Sequence, residues 1–189
     1  MRRLFLAVDF DAAFRDAIGA YAMSVRPHFM ATQASWVESR LYHLTLHFFG
    51  DLENEKSKAI IDSLAAFPRE AVAPQISVSS LDFLPSRRQP RVLCLKLAIE
   101  PAKALEPVIA EARRLADRVG AASDSRPWRA HLTLARFKDS RAAIGPEPPP
   151  PPRITAWPDT FCLMESHLAP RGPSYTIVER YGFRASAPT

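Results

Sequence analysis

The tetrapeptide His-Leu-Thr-Leu occurs twice, at His43-Leu44-Thr45-Leu46 and at His131-Leu132-Thr133-Leu134. Histidine titrates near neutral pH, so two imidazoles supply a general acid and a general base together. Two threonine hydroxyls supply hydrogen-bond donors for a shared anion. An imidazole beside a hydroxyl, present twice, points to acid–base chemistry on an anionic group, with a phosphodiester as the natural candidate. A single His-x-Thr carries little information, because both residues are ordinary on a solvated strand face. The same pattern twice, in the same phase and with the same apolar partners, is a far more specific signal.

Such residues need a strand to hold them. Side chains at i and i+2 of a strand share a face. His43 and Thr45 therefore point one way and Leu44 and Leu46 the other, and the second copy repeats the division. The leucines read as core and the His–Thr pairs as the working face. The first motif strand is expected from about Tyr42 to Phe49, stopping at Gly50, and the second from about Arg129 to Phe137.

Around them, Met1 to Asp9 reads as a first strand. Asp11 is a candidate helix cap, followed by Phe14, Ile18, Tyr21 and Val25 at helical spacing and closed by Pro27. Trp36-Val37 is a short extended piece. Ile60, Ile61, Leu64 and Phe67 mark a second helix ended by Pro68. Strands are expected at 75–84 and 92–99, joined by the polar, basic linker Pro85–Arg91. A third helix starts near Pro101, carries Leu105, Val108, Ile109, Ala112, Leu115 and Val119 on one face, and stops at Gly120. The proline-rich stretch from Gly145 to Pro152 is expected as an exposed, stiff connection. Strands at 160–168 and 174–184 complete the chain. Each half owns one motif strand, and the copies lie nearly half the chain apart. Two lobes of similar plan, related by an approximate two-fold within one domain spanning 1–189, are the expectation.

The 189 residues allow a single core, and 47 % of them are hydrophobic. The net charge of +5 suits a polyanionic partner and suits a merely basic surface equally. Cys94 and Cys162 sit in apolar alternating segments and read as small buried hydrophobes of a reducing compartment, although pairing between them stays open. The N-terminal apolar run is cut short by Asp9, which argues for a strand and against a signal peptide. With no stretch long enough for a membrane span, a cytoplasmic protein is expected.

The residues flanking the motifs carry a resemblance. Met1-Arg2-Arg3-Leu4-Phe5-Leu6-Ala7-Val8, Trp36-Val37, His43 to Gly50, Arg91-Val92-Leu93, Arg126 to Arg136 and Glu165-Ser166 resemble the bacterial RNA 2′,3′-cyclic phosphodiesterases. These are also called 2′-5′ RNA ligases and belong to the 2H phosphoesterase superfamily. The resemblance covers nearly the whole chain. Ala130 departs from it where proline is common, and the proline run near Pro150 looks like a local insertion. The resemblance implies an α+β, bilobal fold: two pseudo-symmetric lobes of antiparallel sheet, helices packed outside, and the active site in the cleft between. It implies opening of a terminal 2′,3′-cyclic phosphate to a 2′-phosphate without a metal or other cofactor, with 2′-5′ ligation as the reverse reaction. It also implies His43 as proton donor to the departing 3′ oxygen, His131 as the base that activates water, and Thr45 and Thr133 as phosphate ligands.

It further implies a phosphate-binding arginine at Arg136. Strict alternation puts Arg136, five positions after His131, on the wrong face, so its role requires the strand to end or bulge near Ala135. The matching position after the first motif is Phe48. His47 shares the face of His43 by alternation and reads as a polar residue at the cleft rim. His43 and His47 do not form a metal pair with His131, because four residues of strand span about 13 Å. Arg87, Arg88 and Arg91, and Arg126 and Arg129, could guide an RNA backbone or be solvated charge. Trp36, Phe48 and Trp128 could stack bases, although the tryptophans are more often core. RNA ending in a 2′,3′-cyclic phosphate is the expected partner of a monomeric protein. A small cyclic nucleotide as substrate, or an RNA-binding module without turnover, are the alternatives.

Overall fold

The computed structural model describes residues 1–65, 71–121, 127–139, 148–170 and 172–184. Nine strands and three α-helices are defined among them: β1 (Arg2–Asp9), α1 (Ala12–Val25), β2 (Ala34–Trp36), β3 (His43–Leu52), α2 (Asn54–Ala65), β4 (Gln75–Ser86), β5 (Gln89–Glu100), α3 (Glu106–Val119), β6 (His131–Phe137), β7 (Thr155–Ala156), β8 (Thr160–Ala169) and β9 (Gly172–Gly182). They form two sheets, one of four strands in the order β3-β1-β8-β9 and one of five in the order β2-β6-β5-β4-β7. Every pairing between these strands is antiparallel. The fold is α+β and bilobal, with one motif strand in each sheet.

The motif leucines work as their spacing demands. Leu44, Leu132 and Leu134 are fully buried and Leu46 nearly so, each contributing roughly 1.5–3 kcal/mol by burial. They join one core that runs through both sheets and takes in the inner faces of α1, α2 and α3. In α1, the Asp11 side chain accepts from the Phe14 N–H at 2.7 Å, and Phe14, Ile18, Tyr21, Ala22 and Val25 are buried. In α3, Gly120 closes the helix at φ 62°, a left-handed position that costs glycine little.

Several boundaries differ from the sequence reading. β3 does not stop at Gly50; glycine adopts φ 80° there and the strand continues to Leu52 through a shift in register. The basic linker is a tight hairpin, with Ser86 opposite Gln89 and Arg87-Arg88 as its turn. Helix α3 begins at Glu106, with proline in its first turn, and not near Pro101. The two-residue strand β7, on the edge beside β4, has too little sequence to announce itself. Phe67 and Pro68 lie outside the described residues, as do residues 145–147. Of the proline run that is described, the Pro149 carbonyl accepts a hydrogen bond from the Tyr21 hydroxyl at 2.8 Å, which ties it to α1. Cys94 and Cys162 are both buried and free, and burial pushes their thiols up to about 12 and about 11. No described helix is long and apolar enough to cross a membrane.

Candidate active site

The two motif strands depart from ideal alternation at the same place. Opposite β1, Ala7 pairs with Thr45 and Leu6 with His47, so Leu46 is an extra residue. Opposite β5, Cys94 pairs with Thr133 and Leu93 with Ala135, so Leu134 is extra. Each is a β-bulge, which inserts one residue and turns over the phase beyond it. As a result residues 43–49 and 131–137 share one burial pattern. The His and Thr positions are part-buried, the next two residues buried, the sixth exposed and the seventh buried. The carbonyl of the extra Leu134 is not left unpaired, since the Val37 N–H donates to it at 2.9 Å.

The bulge carries Arg136 and Phe48 onto the motif face, and turns His47 off it. His47 is therefore not a rim residue: it is 6 % exposed, with its ring against the edge of Phe49 at 4.7 Å. A cavity of about 560 Å³, lined from one sheet by His43, Thr45 and Phe48 and from the other by His131, Thr133 and Arg136, brings together every residue singled out for chemistry. Its size suits one nucleotide.

The two imidazoles are held alike. His43 Nδ1 lies 2.8 Å from the Leu41 carbonyl, and His131 Nδ1 lies 2.8 Å from the Arg129 carbonyl. A carbonyl only accepts, so in both rings Nδ1 carries the hydrogen and Nε2 is the atom that exchanges a proton. His43 Nε2 sits 3.0 Å from the Thr45 hydroxyl. The His43 ring packs against Phe5, at 5.1 Å, and Tyr175, at 5.2 Å, two rings that also touch each other at 5.0 Å. Burial beside this aromatic cluster lowers the pKa of His43 below the ordinary histidine value. The Leu41 carbonyl and Asp9 oppose that fall, and His131 and Arg136 reinforce it.

Trp128 packs part-buried against the core and is not among the residues lining the cleft. Its indole Nε1 donates to the Thr45 carbonyl at 2.9 Å. Because β3 is the edge of its sheet, this bond covers an edge carbonyl and ties the second lobe to the first motif strand. Trp36 lines the cleft wall beneath the Arg26 guanidinium. Phe48 is 41 % exposed, with Arg3 stacked 4.8 Å from its ring centre and held by Asp51 at 2.7 Å. Arg87 packs over Phe83 at the far hairpin, and neither it, Arg88 nor Arg91 lines the cleft. Arg126 lies outside the described residues. Tyr175 and Asp9 bear on His43 without having been singled out. Only tertiary pairing brings either to it, Tyr175 through a ring contact and Asp9 through the register of β1 against β3.

A family model described as LigT-like phosphoesterase matches residues 8–94, which include the first motif strand. The chain is 32 % identical over 196 residues to the RNA 2′,3′-cyclic phosphodiesterase of Thermus thermophilus, covering 96 % of this chain and 90 % of that one. It is 29 % identical over 180 residues to the protein of the same name from Escherichia coli, covering 95 % and 96 %. In three dimensions it is similar to a Thermus thermophilus crystal structure, with a TM-score of 0.77, 30 % identity, and coverage of 98 % of this chain and 100 % of that one. It is likewise similar to Escherichia coli LigT complexed with 3′-AMP, with a TM-score of 0.70, 26 % identity, and coverage of 96 % and 98 %.

Proposed function

This chain belongs to the LigT-like phosphoesterases, and from that premise we propose that it opens the 2′,3′-cyclic phosphate at an RNA end to a 2′-phosphate by proton transfer at two histidines. The observation that carries the reading is the pair of imidazoles anchored through Nδ1 to a backbone carbonyl, one from each lobe, on one cleft with Thr45, Thr133 and Arg136.

Neutral His131 takes a proton from water through Nε2, and the water oxygen bonds to phosphorus. The P–O3′ bond breaks, and protonated His43 gives its Nε2 proton to the departing oxygen. With the 5′-hydroxyl of a second RNA in place of the water, the same steps leave a 2′-5′ linkage, which is the ligation reaction. The hydroxyls of Thr45 and Thr133 donate to the non-bridging oxygens, and Arg136 meets the charge that grows on them. When Nε2–H of His43 donates to the Thr45 oxygen, the threonine's own hydrogen turns to the phosphate, so one hydroxyl serves both.

Nothing in this cycle requires a metal. In the empty cleft His43 holds its proton poorly, and the anionic substrate restores it by favouring the imidazolium. Loading of the donor is thereby coupled to the presence of the phosphate. The test is incubation with an oligonucleotide ending in a 2′,3′-cyclic phosphate, alongside the corresponding mononucleotide, with the product's phosphate position identified. A 2′-phosphate is expected on both. A 3′-phosphate product, or no turnover of either, overturns the reading.

A further inference from the structure

The two lobes repeat the motif, the bulge and the carbonyl anchor, so their differences are informative. The strand beside each motif strand supplies one. Asp9 of β1 stands directly opposite His43, whereas Lys96 of β5 stands directly opposite His131. Opposed residues of an antiparallel pair share a face, with Cβ atoms about 4.5–5.5 Å apart. The histidine of the first lobe thus has a carboxylate for a neighbour, and the same place in the second lobe holds a cation.

We propose that Asp9 is a positioning residue for the proton on His43, and that it makes His43, of the two histidines, the one that serves as donor. The proposal rests on the functional reading above. The charged and titratable groups around His43 are few. Asp9 faces it from β1, His131 and Arg136 from β6, and Tyr175 from β9. Glu38, the carboxylate among the residues lining the cleft, is exposed and paired with Arg40 at 2.7 Å. Burial, His131 and Arg136 all disfavour an imidazolium at His43, and Asp9 is the charged group that acts in the opposite sense.

Asp9 is also held in place. Arg15 Nη1 donates to it at 3.0 Å, and Arg180 Nη2 lies 4.0 Å from its other oxygen. Arg180 is steadied in turn by a contact of Nη1 with Cys162 Sγ at 3.4 Å. With 23 % of its side chain exposed, the carboxylate is only partly screened by water.

The test is an NMR pH titration of the histidine ring protons, without substrate, in wild type, Asp9→Asn, Asp9→Glu and Arg15→Gln, paired with kcat/KM profiles on a 2′,3′-cyclic mononucleotide. Asp9→Asn is expected to move the His43 midpoint to lower pH by roughly half to one unit. Asp9→Glu should hold it near wild type, and Arg15→Gln should raise it, because the carboxylate loses its counter-ion. Both Asp9→Asn and Arg15→Gln break the same ion pair, so a purely structural role would move them together. In Asp9→Asn, kcat/KM above neutrality should fall roughly 3- to 10-fold, in step with the lost protonated fraction. A fixed His43 midpoint in Asp9→Asn, or a shift of the same sign in Arg15→Gln, overturns the role of Asp9. A shifted midpoint with an unshifted kcat/KM profile overturns His43 as donor. A wild type that hydrolyses no cyclic phosphate overturns the functional reading instead, and the titration separates that failure from the others.

Discussion

Replacing Trp128 by phenylalanine keeps an aromatic ring and removes one donor. The bond lost is the 2.9 Å contact from Nε1 to the Thr45 carbonyl. An unpaired, partly buried carbonyl costs about 1–3 kcal/mol, and partial solvation of the edge of β3 favours the lower half of that range. For a chain of this length each kcal/mol corresponds to a fall of about 2–4 °C in Tm, so a drop of roughly 2–8 °C is expected. The kinetic effect should exceed the stability effect. The bond spans the two lobes and grips the backbone of the residue whose hydroxyl meets His43 and, in the proposed cycle, the phosphate, so its loss loosens the spacing between the two imidazoles. Misplacement by about 1 Å costs up to about 10²-fold. The assay is hydrolysis of a 2′,3′-cyclic nucleotide together with thermal unfolding, and kcat should fall by at least about tenfold with KM less affected. Unchanged kcat with lowered Tm would show that the bond only stabilises the fold, and would refute the claim that it sets the cleft.

His43→Ala and His131→Ala should each lower kcat by about 10²–10⁴-fold, with the larger fall in Tm for His43→Ala, whose ring packs against Phe5 and Tyr175; near wild-type turnover in either would assign that histidine a structural role. Arg136→Ala should lower kcat/KM by roughly 10- to 150-fold, the worth of a charge-assisted bond of about 1.5–3 kcal/mol, and an effect below about threefold would remove it from the site. For pH, kcat/KM reports the free enzyme, where His43 lies below its ordinary value; its protonated form is lost as pH rises through that lowered value. The high-pH limb of kcat/KM, whose position belongs to the pair of histidines, should therefore lie at lower pH than that of kcat, because bound phosphate favours the imidazolium. Coincident limbs in profiles from about pH 5 to 9 would refute this. Hydrolysis should also survive exhaustive chelation, and loss of activity restored by a divalent ion would sink the two-histidine mechanism.

The legible part of this molecule is what strand periodicity controls. The leucine faces of both motifs and the cap and apolar stripe of α1 follow from residue type and spacing, whereas the convergence of His43, Thr45, His131 and Thr133 on one cleft is what the family resemblance implies. Arg136 shows where that logic stops. Alternation alone excluded it, and only a bulge near Ala135 could admit it; the bulge exists, one residue earlier, at Leu134. The same feature at Leu46 made the alternation reading of His47 fail. Nothing in the leucine-rich sequence distinguishes a bulged residue from a paired one, because both are buried and apolar. Tyr175 and the indole bond of Trp128 were illegible for a different reason. They join segments far apart in the chain, and their partners are a ring edge and a backbone carbonyl, neither of which leaves a mark on composition.

The bulges explain more than one arginine. An extra residue bends its strand and increases the local twist, and the two equivalent bulges lie in the two motif strands whose polar faces line one cavity. A two-fold cleft built this way would treat both sides of a bound phosphate alike. Opening a cyclic phosphate is directional, since water arrives and the 3′ oxygen departs roughly in line on opposite sides of phosphorus. The histidines come from opposite lobes and suit those two sides, but identical surroundings would give them identical protonation. The departures from symmetry lie where direction is needed: Arg136 against Phe48 at the sixth position of each motif strand, and Lys96 against Asp9 on the neighbouring strands. The repeated strand pattern brings two histidines to one cleft, and on the proposed mechanism the substitutions that break the repeat decide which of them gives the proton.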